Sequence, residues 1–398
     1  MAERRTGEIL TEGLHPRIDA ATRRRGMLFL AAAVALVGVA MAVQMGLNAN
    51  FLRQDLKLDF DEIGYLEAFR ESCGILALGV LALLAGLAEP LVATGVLMLV
   101  AAGLSGYFFV HDYVWLVVMS MTWSQGLHVW MPLPNSMAMA MAEPGRTGYR
   151  LGQIRSSGSI GYAVGLGLAL AVTLLKVGMR PIYLVGAAAS VLAAAMCFGI
   201  PRKIKTPGPR LVFSRKYLLY YVLCFLEGWR KQIFIAFAGI LLVARHGTPV
   251  WKILTLQISV QAAGFIAFPI VGRVIDRFRE RRILLFYYAS LTLLFVGYAF
   301  IRQPGVLYAI YIADNAFFVF AMSLETFVGR IAPKRELTPT LSMGVAMNHV
   351  AAVIMPLVGG ILWITFGYEW TFLMGAAAAA VSVAVVAIWV PRRLAPSP

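Results

Sequence analysis

The chain has 398 residues, of which 60% are hydrophobic and only 14% are charged. Together with a mean hydropathy of +0.76, this composition excludes an ordinary soluble domain and indicates a polytopic membrane protein. The net charge of +15 does not indicate nucleic-acid binding, because the basic residues collect in short loops between apolar segments. Cys73, Cys197 and Cys224 form no spaced pair, which argues against a disulfide framework or a zinc site.

Twelve apolar segments are each long enough to cross a bilayer, which takes about 20 residues. We call them spans 1 to 12. They are predicted at residues 27–50, 63–88, 91–110, 114–140, 151–175, 180–200, 217–243, 250–272, 283–301, 305–329, 339–365 and 368–390. Because twelve is an even number, both termini are expected on one side of the membrane.

Lysine and arginine are unequally divided between alternate loops. The two tails and the loops on their side hold several times as many of these residues as the loops on the other side. Because basic loops stay in the cytoplasm, both termini are predicted to be cytoplasmic, and a bacterial inner (plasma) membrane is favoured. The loops after spans 1, 7 and 11 are then extracellular.

The longest internal polar connection, residues 201–216, separates six spans from six. The predicted division is therefore a cytoplasmic tail at 1–26, a bundle at 27–200, a linker at 201–216, a second bundle at 217–391 and a tail at 392–398. An offset of about 190 residues indicates a duplication. It relates Pro144 and Arg146 to Pro333 and Arg335, and Gly86 and Glu89 to Gly272 and Asp276.

One loop carries a family signature. The run Gly272-Arg-Val-Ile-Asp276-Arg277-Phe-Arg-Glu-Arg281-Arg282 follows span 8 and resembles the loop motif of the major facilitator superfamily. In span 5, Gly152, Gly161 and Gly165 keep the spacing of that superfamily's antiporter motif, with Leu166 where the motif has proline. The resemblance implies an all-α fold of two six-helix bundles. Spans 1, 4, 7 and 10 would line a central cavity, and the bundles would rock to expose one site to each side in turn.

Three charged residues lie inside span 7. Glu227, Arg230 and Lys231 are spaced i, i+3 and i+4 and so share one helical face. A charge at mid-membrane costs on the order of 2.5–3.5 kcal/mol and persists where it faces a protein interior or a watery path. We predict that Arg230 or Lys231 binds an anionic substrate, and that Glu227 or Asp314 of span 10 takes part in proton coupling. The alternative is that these charges pair only to hold spans 7 and 10 together.

Further polar residues lie in the spans expected to line the cavity. Gln125, His128, Gln261 and Asn348 are predicted to contact substrate, and His349, which can titrate near neutrality, to take part in proton coupling. A histidine alone on an apolar helix is more often a hydrogen-bonded structural residue, and that interpretation stays open for both histidines. Gating is predicted for Arg70, Glu71, Arg155, Asp276 and Arg277.

These features predict a monomeric secondary active transporter of a small anionic organic solute, coupled to protons. Proton-coupled efflux of drugs or amphiphilic cations, a non-transporting membrane sensor or scaffold, and soft-metal or metal-chelate transport are the alternatives. The sequence contains no phosphate-cradling glycine loop, nucleophile elbow or metalloprotease helix. Neither an enzyme activity nor a cofactor or resident metal is therefore expected.

Overall fold

A computed structural model describes residues 19–84, 86–143, 147–205, 213–278, 280–332 and 334–391. Within these ranges the chain is helical, apart from one isolated antiparallel bridge between Ala88 and Lys205. The α-helices are α1 (Ala20–Asn50), α2 (Phe60–Leu83), α3 (Glu89–Phe108), α4 (Tyr113–Trp130), α5 (Leu133–Met141), α6 (Thr147–Leu174), α7 (Met179–Cys197), α8 (Leu218–Ile233), α9 (Gly239–His246), α10 (Val250–Arg277), α11 (Glu280–Phe300), α12 (Pro304–Phe317), α13 (Met322–Ile331), α14 (Lys334–Phe366) and α15 (Tyr368–Trp389).

These helices form the twelve predicted spans and confirm the all-α polytopic fold. Spans 4, 7 and 10 each consist of two α-helices, namely α4 with α5, α8 with α9, and α12 with α13. In the described residues, eight spans are long and apolar enough to cross a membrane by length and composition. The other four are spans 2, 4, 7 and 8. Span 2 carries several charged side chains, and spans 4 and 7 are interrupted.

Span 1 begins earlier than the sequence predicted. Helix α1 starts at Ala20, before the expected residue 27, because the carboxylate of Asp19 caps it and accepts a hydrogen bond of 2.9 Å from the backbone N–H of Thr22. Hydrogen bonds to Thr22 also lower the pKa of Asp19. The rest of the predicted tail (1–18), linker residues 206–212 and the C-terminal residues 392–398 lie outside the described ranges.

The helices pack into two compact units. One comprises Met1–Met45 and Leu76–Pro209, and the other Gly46–Ile75 and Arg210–Pro398. The end of span 1 and the first part of span 2 thus pack with spans 7 to 12. The division into bundles 27–200 and 217–391 stays a prediction.

In the first unit, spans 1 and 5 are in backbone contact through glycine. A Cβ atom at Gly161 would overlap the carbonyl group of Ala35, and one at Gly165 would lie 2.7 Å from the Cα of Val39. Small residues allow transmembrane helices this close an approach. Two of the three glycines that fit the antiporter motif, Gly161 and Gly165, therefore have a packing role here, whereas a Cβ at Gly152 would meet no atom within 4 Å.

In the second unit, span 11 packs against spans 2 and 7 in the same way. A Cβ at Gly360 would lie 2.6 Å from the carbonyl oxygen of Phe60, and one at Gly228 would lie 2.5 Å from that of Asn348. This close packing fixes the register of span 7 beside span 11 at the level of Arg230.

Two buried glutamates support the internal duplication. Glu89 begins α3 and Glu280 begins α11, and both are almost completely buried. They lie about 190 residues apart and begin corresponding helices of the two halves, whereas the loop motifs pair Glu89 with Asp276. A carboxylate in the first turn interacts favourably with the helix dipole, and Glu89 also accepts a hydrogen bond of 2.6 Å from the hydroxyl of Ser136.

Candidate functional site

In the residues that the structure describes, each of the four spans expected to line the cavity departs from α-helical geometry. Span 1 ends in a π-helical turn at Phe51–Asp55, and span 7 contains another at Phe234–Ala238. Span 10 contains a 3-10 turn at Phe318–Ala321. Span 4 is broken between Trp130 and Leu133, where Pro132 and Pro134 cannot donate the helical hydrogen bonds. Such turns interrupt the backbone ladder and often mark functional positions.

Arg230 lies at the centre of a buried ion network in the second unit. Its Nη2 is 2.6 Å from Oε1 of Glu227, one turn away on α8, and its Nη1 is 3.1 Å from Oδ1 of Asp314 on α12. The hydroxyl of Tyr287 on α11 donates a hydrogen bond of 2.9 Å to the same Glu227 oxygen. The three charged residues are 5% exposed or less. The network therefore joins spans 7, 9 and 10.

This network leaves hydrogen-bonding capacity unused. Within the described part of the chain, Oε2 of Glu227, Oδ2 of Asp314 and Nε of Arg230 are buried and have no hydrogen-bond partner. Buried polar atoms normally have a partner, so a proton on either free carboxylate oxygen, or a water between them, would complete the network.

Lys231 differs from its neighbour. It is half-buried, and it forms no ion pair with any described residue. Its ammonium nitrogen lies 5.5 Å from the ring centroid of Phe318, within the range of a cation–π interaction. Phe318 begins the 3-10 turn of span 10, and its ring is also 6.0 Å from the Arg230 guanidinium. The departure from α-helix in span 10 therefore brings one aromatic ring next to both cations.

The two polar candidates of spans 8 and 11 lie in the same unit. Asn348 donates a weak hydrogen bond of 3.5 Å to the carbonyl oxygen of Cys224 on α8, one turn before Glu227. Gln261 is half-buried on α10. Both stay predicted substrate contacts.

A second charged cluster joins spans 2 and 11. Arg70 Nη1 donates a hydrogen bond of 2.8 Å to Glu67, and its Nη2 is 3.1 Å from Oε1 of Glu71. The second carboxylate oxygen of Glu71 is 3.6 Å from Nδ1 of His349. With both glutamates ionised, the group around Arg70 carries an excess negative charge, which a protonated His349 would neutralise. Arg70 and Glu71, two of the predicted gating residues, thus lie in one cluster with His349.

The polar candidates of span 4 belong to the first unit. His128 Nδ1 lies 2.9 Å from the backbone oxygen of Ser124, one turn earlier on α4, and its substrate-contact and structural interpretations both stay predictions. Gln125 is half-buried. On span 5, Arg155 is exposed and has no ion-pair partner among the residues described. The side chains of Asp276 and Arg277, the other predicted gating residues, lie outside what the structure describes.

An ion pair links the two ends of the segment that connects spans 4 and 5. Arg150 Nε and Nη2 donate hydrogen bonds of 2.9 and 2.6 Å to the two carboxylate oxygens of Glu143. Hydrogen bonding from Arg150 lowers the pKa of Glu143 to about 2. Because the folded-state pKa is below its ordinary value, the pair stabilises the fold above pH ~4.5 and this contribution is lost as the pH falls towards ~2.

We therefore expect acid to affect an Arg150→Gln variant less than the wild type. Between pH ~5 and ~3, the melting temperature of the wild type should fall more steeply than that of the variant. Glu143→Gln should give the same shallower slope. Parallel slopes for all three proteins, measured by thermal unfolding in detergent, would contradict the assignment.

Sequence reasoning missed two contributors to the span 7 network. Tyr287 and Phe318 lie in apolar spans, where aromatic residues usually only pack. Their roles depend on the rotation of spans 9 and 10 about their axes, which a single sequence does not specify. The unusual aromatic density around Arg230 was the available signal.

The chain was compared with known proteins. The family model described as the Major Facilitator Superfamily matches residues 28–336. No curated protein sequence matches the chain.

Solved structures share its architecture. The nucleoside transporter NupG superimposes with a TM-score of 0.74 at 16% identity, covering 92% of this chain and 99% of that one. A bacterial homologue of the human lysosomal transporter Spinster, in an inward-facing and occupied conformation, gives 0.70 at 12% identity, with coverages of 93% and 97%. A D-xylose–proton symporter gives 0.67 at 12% identity, with coverages of 92% and 97%. At these identities the likeness concerns the fold.

Proposed function

This chain belongs to the major facilitator superfamily, and from that membership we propose that it moves a small anionic organic solute by alternating access, coupled to protons. The family model identifies a multi-pass membrane transporter. The choice of an anion and of protons is our proposal. It rests on the residues around Phe318.

The observation that carries the proposal is the difference between Arg230 and Lys231. Arg230 already faces two carboxylates, whereas Lys231 forms no ion pair within the described ranges. A cation without a counter-ion at this depth is costly. An anionic group on the solute would supply the missing charge, and an ammonium suits this task because it binds anions as a compact point charge.

Proton coupling is supported by the free carboxylate oxygens of Glu227 and Asp314. Protonation of either residue would weaken its ion pair with Arg230 and so loosen the joint between spans 7 and 10. That joint lies about one helical turn before the point at which each span departs from α-helix, at Phe234 and at Phe318. A proton can therefore alter the packing of two spans that the superfamily fold uses to line its cavity.

We expect Lys231→Gln to impair transport without impairing folding. Accepted anions would first be found by a thermal-shift screen of the purified protein against anionic metabolites and siderophores, since a bound ligand raises the melting temperature. In proteoliposomes, uptake of the best anion at subsaturating concentration should fall at least ~10-fold, equivalent to about 1.4 kcal/mol. Lys231→Arg should retain most of the uptake.

Lys252→Gln is the matched control, because Lys252 also lies over an aromatic ring, that of Tyr308 at 4.7 Å, but on a predicted extracellular end. Unchanged uptake in Lys231→Gln, or an equal loss in the control, would refute the anion site. Proton release driven by a lipophilic cation would favour drug efflux instead. A complete lack of transport with every solute tested would favour a sensor or scaffold.

A further inference from the structure

A second candidate site lies away from the span 7 network, at the end of the second unit that is predicted to face the outside. A cavity of about 520 Å³ is lined by residues from the ends of spans 1, 2, 7, 11 and 12. Its volume is within the roughly 300–1,000 Å³ of small-molecule pockets. The lining residues that matter here are Arg53, Phe60, Arg245, Trp363, Tyr368 and Glu369.

Two guanidinium groups in this cavity lie over aromatic rings. The Arg53 guanidinium is 4.4 Å from the ring centroid of Phe60, and that of Arg245 is 5.2 Å from the centroid of Tyr368. Stacking holds the flat face of a guanidinium and leaves its N–H edge available to a carboxylate. Arg53 is fixed further by a hydrogen bond from Nη1 to the backbone oxygen of Leu58.

The acidic group of the cavity is already balanced. Glu369 forms an ion pair of 2.8 Å with Arg302, which also lies 5.0 Å from the centroid of Tyr368. The nearby carboxylates of Asp61 and Glu62 accept backbone N–H groups at the start of α2 and do not line the cavity. Among the residues that line the cavity, Arg53 and Arg245 therefore leave an excess of positive charge.

Arg53 and Arg245 thus place two positive charges over the aromatic rings that line the cavity.

The aromatic rings that line the cavity pack against one another. Trp363 stacks on Phe60 at 4.3 Å between centroids and contacts Tyr368 at 5.6 Å. Ile364, which is exposed, completes an apolar wall. An inorganic anion would use only the two arginines, whereas a carboxylate on a flat apolar body would also contact the rings and Ile364.

We propose that this cavity binds an aromatic carboxylate between Arg53 and Arg245, at a site separate from the one that contains Lys231. The arginines hold the carboxylate oxygens through their N–H edges. The ring of the ligand lies against Ile364 and the edge of Phe60, whose two faces are covered by Arg53 and Trp363. This site is independent of the proposed transport activity.

The experiment is isothermal titration calorimetry of 2-naphthoate into the purified full-length protein. We expect saturable binding that is at least tenfold weaker in Arg245→Gln, which is exposed and makes no hydrogen bond that the described residues reveal. Arg53→Gln should show a similar loss. Acetate and inorganic phosphate should each bind at least tenfold more weakly than 2-naphthoate.

Lys252→Gln is again the matched control, since it removes one positive charge from the same predicted side but outside the cavity. Lys231→Gln should bind 2-naphthoate at this cavity as the wild type does, whatever its effect on transport. The proposal would be overturned by wild-type affinity in Arg245→Gln, by an equal loss in Lys252→Gln, or by phosphate binding as tightly as 2-naphthoate.

Discussion

Replacing Arg230 with Met is expected to destabilise the protein more than any other single side-chain change near the site. The variant would leave Glu227 and Asp314 buried without a counter-ion, since Arg230 is their partner at 2.6 and 3.1 Å. Removing one member of a buried ion pair costs about 3–5 kcal/mol, because the remaining charge stays desolvated. Thermal unfolding and size-exclusion chromatography in detergent should show a large loss of folded, monodisperse protein.

A charge-balanced variant tests the cause of that loss. Arg230→Met combined with Glu227→Gln and Asp314→Asn removes every charge of the network, so that no buried ion is left without a counter-ion. We expect this triple variant to recover most of the melting temperature but not proton-coupled uptake. Normal folding of the single variant, or no recovery in the triple one, would contradict the electrostatic explanation.

Much of this network could be predicted from the sequence. The i, i+3 spacing places Glu227 and Arg230 on one helical face wherever span 7 lies. Asp314 was a reasonable partner because it is one of very few acids within the second-half spans. The sequence could not distinguish Arg230 from Lys231, since their different surroundings depend on where span 10 places Asp314 and Phe318.

The interruptions of the spans also could be explained from the sequence only in part. Pro132 and Pro134 explain the break in span 4 between Trp130 and Leu133, because proline lacks an N–H donor. The turns at Phe234–Ala238 and Phe318–Ala321 contain no proline or glycine. Their geometry is set by packing against neighbouring spans, and no local sequence pattern predicts it.

The cavity near Arg245 was also beyond sequence reasoning. Its residues come from the ends of five spans, and each of them alone looks like an ordinary interfacial arginine or aromatic residue. Only the packing of Gly46–Ile75 with the second half of the chain brings Arg53 and Phe60 to the same cavity as Arg245 and Tyr368.

The second large effect is expected at Gly161, where an added methyl group should damage the fold. A Cβ there would overlap backbone atoms of Ala35 in span 1, and backbone atoms cannot move aside as a flexible side chain can. Overpacking costs about 1–3 kcal/mol and occasionally more. We expect Gly161→Ala to lower the melting temperature clearly and Gly161→Leu to prevent folding.

Gly167 provides the matched control on the same helix, because a Cβ there would meet no atom within 4 Å. Alanine is favoured over glycine in a helix by about 1 kcal/mol, so Gly167→Ala should be neutral or stabilising. If Gly161→Ala and Gly167→Ala unfold at the same temperature, spans 1 and 5 are not in backbone contact. The motif glycine at 161 would then need an explanation in terms of conformational change rather than static packing.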